Sequence, residues 1–472
     1  TGDLTDPSRS KYDLKYYVTM AKELEAAGAH ILGIKDMAGL CKPEAARRLV
    51  STLKQEVGLP IHFHTHDTSG ISAASVLAAV EAGADAVDAA IDSMSGLTSQ
   101  PNLGSIVEAL RNTDKDTSLD PHAIRELSIY WEQVRAQYVG FESDIRSGAS
   151  EVYLHEMPGG QYTNLREQAR SLGLESRWHD VAMAYSAVNH MFGDIVKVTP
   201  SSKVVGDMAL AMVTSDLTEE DVLDPDTEIA FPDSVISFFR GEIGQVPGGF
   251  PKALQKKVLA GEKPLTVRPG EVMEPLDLKA ARKELEEKIE REVSDTEFAS
   301  YLMYPKVFTA FAETREMFSD LSVLPTRLFF YGMDSGTEEV VTIDKGQSLI
   351  IRFLAVSDVD EEGVRSVFFE LNGQPRSVRI TDKSKAATKA AHRKAEAGNP
   401  AHVGAPMPGL VAGLSVKKGQ KVERGDTLLT LEAMKMETAI RADQNGVVEE
   451  IVVQAGSQVD AKDLLMVVEP GE

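Results

Sequence analysis

Three times near the start of the chain, a helical stretch closes on glycine and runs into a short apolar segment. The spacing predicts a helix over residues 11–27 ending at Gly28, then the run AHILGIKD. A second helix is expected from Pro43 to Gly58, then PIHFHTHD, and a third over 71–82 ending at Gly83, then ADAVDAAID. Glycine after a last helical turn enters the left-handed region without steric penalty. Strands that alternate with helices and are almost continuously apolar pair in parallel, covered on both faces. A (β/α)8 barrel of the TIM type and an open doubly wound sheet both fit. Either architecture places its chemistry at the C-terminal strand ends, where the polar residues of these runs cluster. A closed barrel needs eight strands, so the strands before these last three are expected upstream.

The 472 residues exceed what one ordinary core serves, so two to four domains are expected. A balance of 42% hydrophobic to 26% charged residues is that of a globular protein. The net charge of −23 and the lack of a basic stripe argue against a nucleic-acid partner. No apolar run approaches the ~18 residues of a membrane span. Cys41 is the only cysteine, which excludes a disulfide framework and points to a reducing compartment. That compartment is read as the cytoplasm, or the mitochondrial matrix in a eukaryote. No signal or transit segment is read, and the opening TGDLTDPSRS, without Met, reads as a turn leaving a strand that precedes it.

Residues 121–318 read as mainly helical, with helical spacing in AIRELSIYWEQVRAQY and LKAARKELEEKIEREV. They are expected to extend the barrel part, giving a first domain over 1–318. From RLFFYGM onward the pattern turns to alternation, and Asn372-Gly373 is a strong hairpin signal, so 319–382 is expected to be a small all-β domain. Residues 383–402 are rich in Ala and Lys and read as a flexible linker without a core. Such a linker reaches on the order of 30–65 Å, depending on whether it is helical or extended.

The last domain, 403–472, contains an internal repeat. Gly409, Val416, Gly419, Val422, Asp426 and Leu428 recur 37 positions later as Gly446, Val453, Gly456, Val459, Asp463 and Leu465. Two copies of one strand pattern predict a flattened β-sandwich with approximate twofold symmetry. The copies join at EAMKMETA, which places Lys435 at a hairpin tip on a rigid platform. Lysine is ordinarily a solvated surface residue and methionine ordinarily core filler. A core filler does not belong at a symmetry joint, whereas an exposed amine there can form an amide.

His62, His64 and His66 alternate, so their side chains share one face of a strand. Imidazoles at i and i+2 can share a borderline divalent ion such as Zn²⁺, or form a hydrogen-bonded trio without metal. Lys35 ends the neighbouring strand, where an unpaired ammonium is costly to bury. Thr199, in KVTPSSKVVGDMA, precedes a helix start at which Ser201 or Ser202 can cap.

The tip EAMKM and the upstream APMPGLV resemble the biotinyl carrier domain of biotin-dependent enzymes, which implies that Lys435 carries biotin. Lipoyl domains share the fold but have a different tip. GIKDMAGL, HFHTHDTSG, AAIDSMSGLTSQPNLG and MPGGQYTNL resemble the carboxyltransferase domain of the pyruvate carboxylase family. The resemblance implies Lys35, carbamylated, with His64 and His66 as ligands of Zn or Mn, and His62, Asp36 and Asp67 in supporting places. Thr199 is then the proton shuttle, with Ser202 and Lys203 in the biotin pocket. The family's fourth ligand, an aspartate, and its substrate arginine have no counterpart in this sequence. Implied also are pyruvate and oxaloacetate, an upstream biotin carboxylase domain using ATP, Mg and bicarbonate, a biotin protein ligase, and a homotetramer. The implied reaction moves a carboxyl group from carboxybiotin to pyruvate; these residues alone are expected to show no turnover. The rival readings are the α subunit of a biotin-dependent oxaloacetate decarboxylase or a transcarboxylase, and an inactive carrier or scaffold.

Overall fold

The computed structural model describes residues 2–7, 10–360, 363–382, 393–396, 399–433 and 436–470. The chain forms two compact units, one from residues 1–272 with 392–472, the other from 273–391.

The first unit opens with the helix–strand repeats: α1 (Leu14–Ala26), β1 (Leu32–Asp36), α2 (Pro43–Glu56), β2 (Ile61–Thr65), α3 (Ser72–Glu81), β3 (Ala86–Val87) and α4 (Leu103–Leu110). Asp13 caps α1 by accepting from the Tyr16 amide, and Pro43 opens α2 where its missing N–H costs nothing. The strands pair in parallel in the order β1-β2-β3, with Lys35 opposite His64 and His62 opposite Ala86. Ile61 and Phe63 are fully buried against a core that includes Leu49, Val50, Leu53 and Val76. Each such side chain contributes about 1.5–3 kcal/mol. Burial along β1 and β2 alternates: one face is packed under helices, and the other bears Lys35, His62 and His64. β3 is also shorter than ADAVDAAID implied: its pairing stops at Val87, and Ala90 bridges to Asn102 instead.

Helices α5 (Pro121–Ala136), α6 (Val152–His155), α7 (Gly159–Ser171), α8 (Trp178–Met191), α9 (Ser201–Thr214), α10 (Glu219–Leu223), α11 (Asp233–Arg240), α12 (Lys252–Leu259) and α13 (Pro269–Val272) follow. Leu165, Tyr185, Val205, Met208 and Phe239 are fully buried in their shared core, with Phe192 stacked on Phe238. The two parts are tied by Lys11, whose ammonium donates to the Gly193 and Asp194 carbonyls, and by the Tyr12 hydroxyl, which donates to Asp194 O at 2.8 Å.

In the second unit, α14 (Leu278–Ile289), α15 (Asp295–Met303) and α16 (Pro305–Phe318) close around Leu285, Phe298 and Phe308. The segment RLFFYGM, expected within a β-rich stretch, is mostly α17 (Thr326–Tyr331). Pro325 supplies its start and Gly332, at φ +69°, its stop. The meander β4 (Glu338–Asp344), β5 (Gln347–Val356), β6 (Val364–Leu371) and β7 (Gln374–Thr381) follows. Asn372 and Gly373 both have positive φ at its last turn, as a type I′ hairpin requires.

The C-terminal part of the first unit contains β8 (His402–Gly404), β9 (Gly409–Leu414), β10 (Lys421–Val422), β11 (Thr427–Ala433), β12 (Met436–Arg441), β13 (Gly446–Ile451), β14 (Gln458–Val459) and β15 (Leu464–Pro470). Two four-stranded sheets result, β10-β13-β15-β8 and β12-β11-β9-β14. Strands β9, β10 and β11 recur as β13, β14 and β15, each displaced by the 37 residues of the repeat. The short strands are exchanged: β10 of the first copy pairs with β13 of the second, and β14 of the second with β9 of the first. Val416, Val422, Leu428, Val453, Val459 and Leu465 fill one common core. Within the stretch read as a linker, Arg393 O accepts from Leu464 N and Ala395 N donates to Lys462 O. Among the described residues no helix is long and apolar enough to cross a membrane.

Candidate metal and carboxyl-transfer site

At the C-terminal end of β2, His64 Nε2 and His66 Nε2 lie 3.2 Å apart. The outer nitrogen of each ring is held. His64 Nδ1 lies 2.7 Å from one oxygen of Asp88, whose other oxygen is 2.7 Å from His62 Nε2; His66 Nδ1 lies 2.6 Å from the Thr98 carbonyl oxygen. Burial pushes the Asp88 carboxyl up, but the hydrogen bonds from His62 and His64 outweigh it and hold it below the usual range, so it is an ionised acceptor. A carbonyl also only accepts. An acceptor at each Nδ1 favours the tautomer in which Nε2 is the lone-pair nitrogen of a neutral ring. Burial, foremost, lowers the His66 pKa and keeps that ring neutral. Two such nitrogens 3.2 Å apart can share one cation, or one proton in a hydrogen bond. Imidazoles whose far N–H is fixed by a carboxylate and a carbonyl are also what a metal site requires of its supporting groups. The donor set fits the metal.

Lys35 shares a face with His64 across the ladder. Leu32, Ile34 and Asp36 take the packed face of β1, and Gly33 and Lys35 take the other. Asp36 is fully buried and accepts from the Leu40 and Cys41 amides and the Thr65 hydroxyl, locking the end of β1 to β2. Asp67 accepts from Ser72 N at the start of α3. Among the described residues no three His, Cys, Asp or Glu side chains converge on one point, so the imidazoles supply only part of a shell.

Thr199, Ser202 and Lys203 form a second group. Thr199 is exposed beside Pro200, Ser202 is 4% exposed, and the Lys203 ammonium is held by Asp207 one helical turn on. Asp207, fully buried, also accepts from Ser234 of α11 at 2.6 Å. Ser201 does not cap α9 in the expected way: its hydroxyl donates to Val198 O and accepts from Val198 N, closing the preceding turn. The groups meet through α7. Its first residue, Gly159, lies against His66 Nδ1 and Thr98 O, and its Gln161 side chain lies against Gly206 of α9. Lys435 lies outside the described residues. The strands on either side of it, β11 and β12, pair as far as Ala433 and Met436, and β12 packs on α11.

Residues 152–352 match the model of the conserved carboxylase domain, residues 4–130 that of the HMGL-like family, and residues 401–468 that of the biotin-requiring enzyme domain. The chain is 50% identical to pyruvate carboxylase of Bacillus subtilis and 45% identical to the mitochondrial pyruvate carboxylase of Homo sapiens. Each alignment spans 99% of this chain but only 41% and 40% of the relative. The chain thus covers about two fifths of the length of these relatives. The carboxyl transferase domain of Rhizobium etli pyruvate carboxylase superposes with a TM-score of 0.74 at 63% identity, over 81% of this chain and 64% of that one. The same domain solved with pyruvate and biocytin gives 0.75.

The chain is homologous to the C-terminal part of pyruvate carboxylases.

The parallel strands therefore belong to a TIM-barrel-type, HMGL-like carboxyltransferase domain, and the exchanged sandwich is a biotin-requiring module. Asp88, Thr98 and Gly159 were not singled out from the sequence. The register brings Asp88 there: His62 and Phe63 pair with Ala86 and Val87, so the acid just beyond β3 borders His64. Thr98 and Gly159 act through backbone atoms, which side-chain chemistry does not reveal.

Proposed function

We propose that this chain performs carboxyl transfer to pyruvate, giving oxaloacetate, within an ATP-driven, biotin-dependent carboxylase of the pyruvate carboxylase type. The adjoining Nε2 atoms of His64 and His66 carry the reading, because they would hold a cation at the strand ends of a chain that also matches a biotin-requiring enzyme domain. His64, His66 and carbamylated Lys35 would hold the ion, Zn or Mn; bound there, it supplies Lewis acidity toward a developing enolate oxygen. Lys435 would hold biotin by an amide, and biotin supplies the carboxyl group.

The protein's own groups do the rest. The Thr199 hydroxyl takes a proton from the pyruvate methyl while releasing its own toward the carrier, an exchange that needs no net charge on the side chain. Ser202 and Lys203 line the carrier's pocket, and Asp207 anchors the Lys203 ammonium from its buried position. The tether turns carrier encounter into an intramolecular step at raised effective concentration. The assembly we read is a homotetramer with an upstream biotin carboxylase domain that uses ATP, Mg and bicarbonate. A biotin protein ligase loads it, in the cytoplasm or, in a eukaryote, the mitochondrial matrix.

In the full-length protein, Thr199→Ala should slow oxaloacetate formation by about 10²–10⁴-fold, with metal content and biotin load unchanged. Tandem mass spectrometry should find the biotin mass on Lys435. A Thr199→Ala enzyme at wild-type rate, or an unmodified Lys435 after co-expression with the ligase, would overturn the proposal.

A further inference from the structure

Glu156 and Lys197 form an ion pair 2.9 Å long, each side chain only 10% exposed. Its place is informative. Glu156 ends α6 in the left-handed region, at φ +56°, so the loop that follows turns sharply into Met157-Pro158-Gly159. That loop is fastened to both strands of the imidazole site. Gly159 N donates to Met37 O just beyond β1, and the Gly159 backbone abuts His66 Nδ1 and Thr98 O beyond β2.

Lys197 stands two residues before Thr199. The turn between them is rigid: Ser201 Oγ bonds to Val196 O, Val198 O and Val198 N, Ser202 N donates to Val198 O, and Lys203 N donates to Pro200 O. A displacement of Lys197 is therefore carried to Thr199. A desolvated ion pair adds little stability over an apolar pair of equal volume, but its charge-assisted hydrogen bond is directional.

We propose that the Glu156–Lys197 pair is a positioning device that holds the Thr199 hydroxyl in register with the imidazole pair. It rests on the reading of Thr199 as proton shuttle. Neither residue touches the reacting atoms; both act through Thr199.

The test uses the full-length, biotin-loaded, metal-replete enzyme. Lys197→Met keeps the packing of the stem and removes the charge. The expected result is a kcat about 10–100-fold lower, with the KM for pyruvate and the metal content unchanged, since a misplacement of about 1 Å costs on that order. The deciding readout is a cycle with Thr199→Ala, followed by exchange of pyruvate methyl protons with solvent deuterium. On the Thr199→Ala background, Lys197→Met should cause no further loss. An equal fold-loss on both backgrounds, or an unchanged kcat with Thr199 intact, overturns the positioning role. Where Lys197→Met fails to fold, Glu156→Gln is read by the same cycle. A Thr199→Ala enzyme that exchanges at the wild-type rate defeats the shuttle reading itself, and so separates the two failures.

Discussion

Gly159 is the residue on which the imidazole site can be broken by a single methyl group. A Cβ there would sit 2.8 Å from Thr98 O and 2.9 Å from His66 Nδ1, where ordinary contact begins at 3.4 Å. The two atoms it would strike are the partners of one hydrogen bond, 2.6 Å long. Neither can retreat alone without stretching that bond, and Gly159 N is itself held by Met37 O. Relief needs a shift of about 0.5 Å, comparable with the tolerance of a preorganised site. Overpacking of this kind costs typically 1–3 kcal/mol. If His66 yields, its Nε2 turns away from His64 and metal affinity should fall about 10–100-fold, as when an outer-shell partner is lost. Metal competition titration of the full-length Gly159→Ala protein measures the affinity, and thermal unfolding measures the strain. Wild-type affinity together with wild-type Tm would refute the reasoning, because the methyl would then have found space that the packing denies it.

Asp88→Ala removes the carboxylate that fixes His64 and His62, and metal affinity should drop about 10–100-fold in the same titration; an unchanged affinity would show that His64 is oriented otherwise. His155 is 1% exposed, and burial lowers its pKa to about 4, with Lys197 adding to the shift against the opposing effect of Glu151. The unfolded chain binds that proton near pH 6.5 and the fold refuses it until about pH 4, so stability falls as pH drops through this window, by about 3 kcal/mol in all. Trp178 reports on this core, since it meets Tyr162 edge-on and Tyr162 stacks on His155. Urea unfolding followed by Trp178 fluorescence, in a Trp131→Phe background, should show a steeper loss between pH 7 and 4 for wild type than for His155→Asn; parallel curves would contradict it.

Much of the architecture was legible because local signals agreed with long-range ones. Helices closing on Gly28 and Gly83 return the chain to parallel strands, and the 37-residue repeat anticipates which valines share the sandwich core. The failures have physical causes. ADAVDAAID looks like one long strand, but its pairing stops at Val87, and Asp88 beyond it meets two imidazoles. RLFFYGM has strand-like composition, but Pro325 and Gly332 frame a single helical segment there. Gly159 reaches His66 across 93 positions of sequence through backbone atoms alone, and no residue pattern encodes that approach.

The exchanged short strands of the C-terminal sandwich make its two halves interdependent. Because β10 and β14 each complete the other half's sheet, neither half has a whole sheet to fold into by itself. A chain severed between β11 and β12 would yield two pieces competent only together, which recommends this module for split-reporter engineering. It also means that any ancestral duplication became useful only once the two copies had swapped edges.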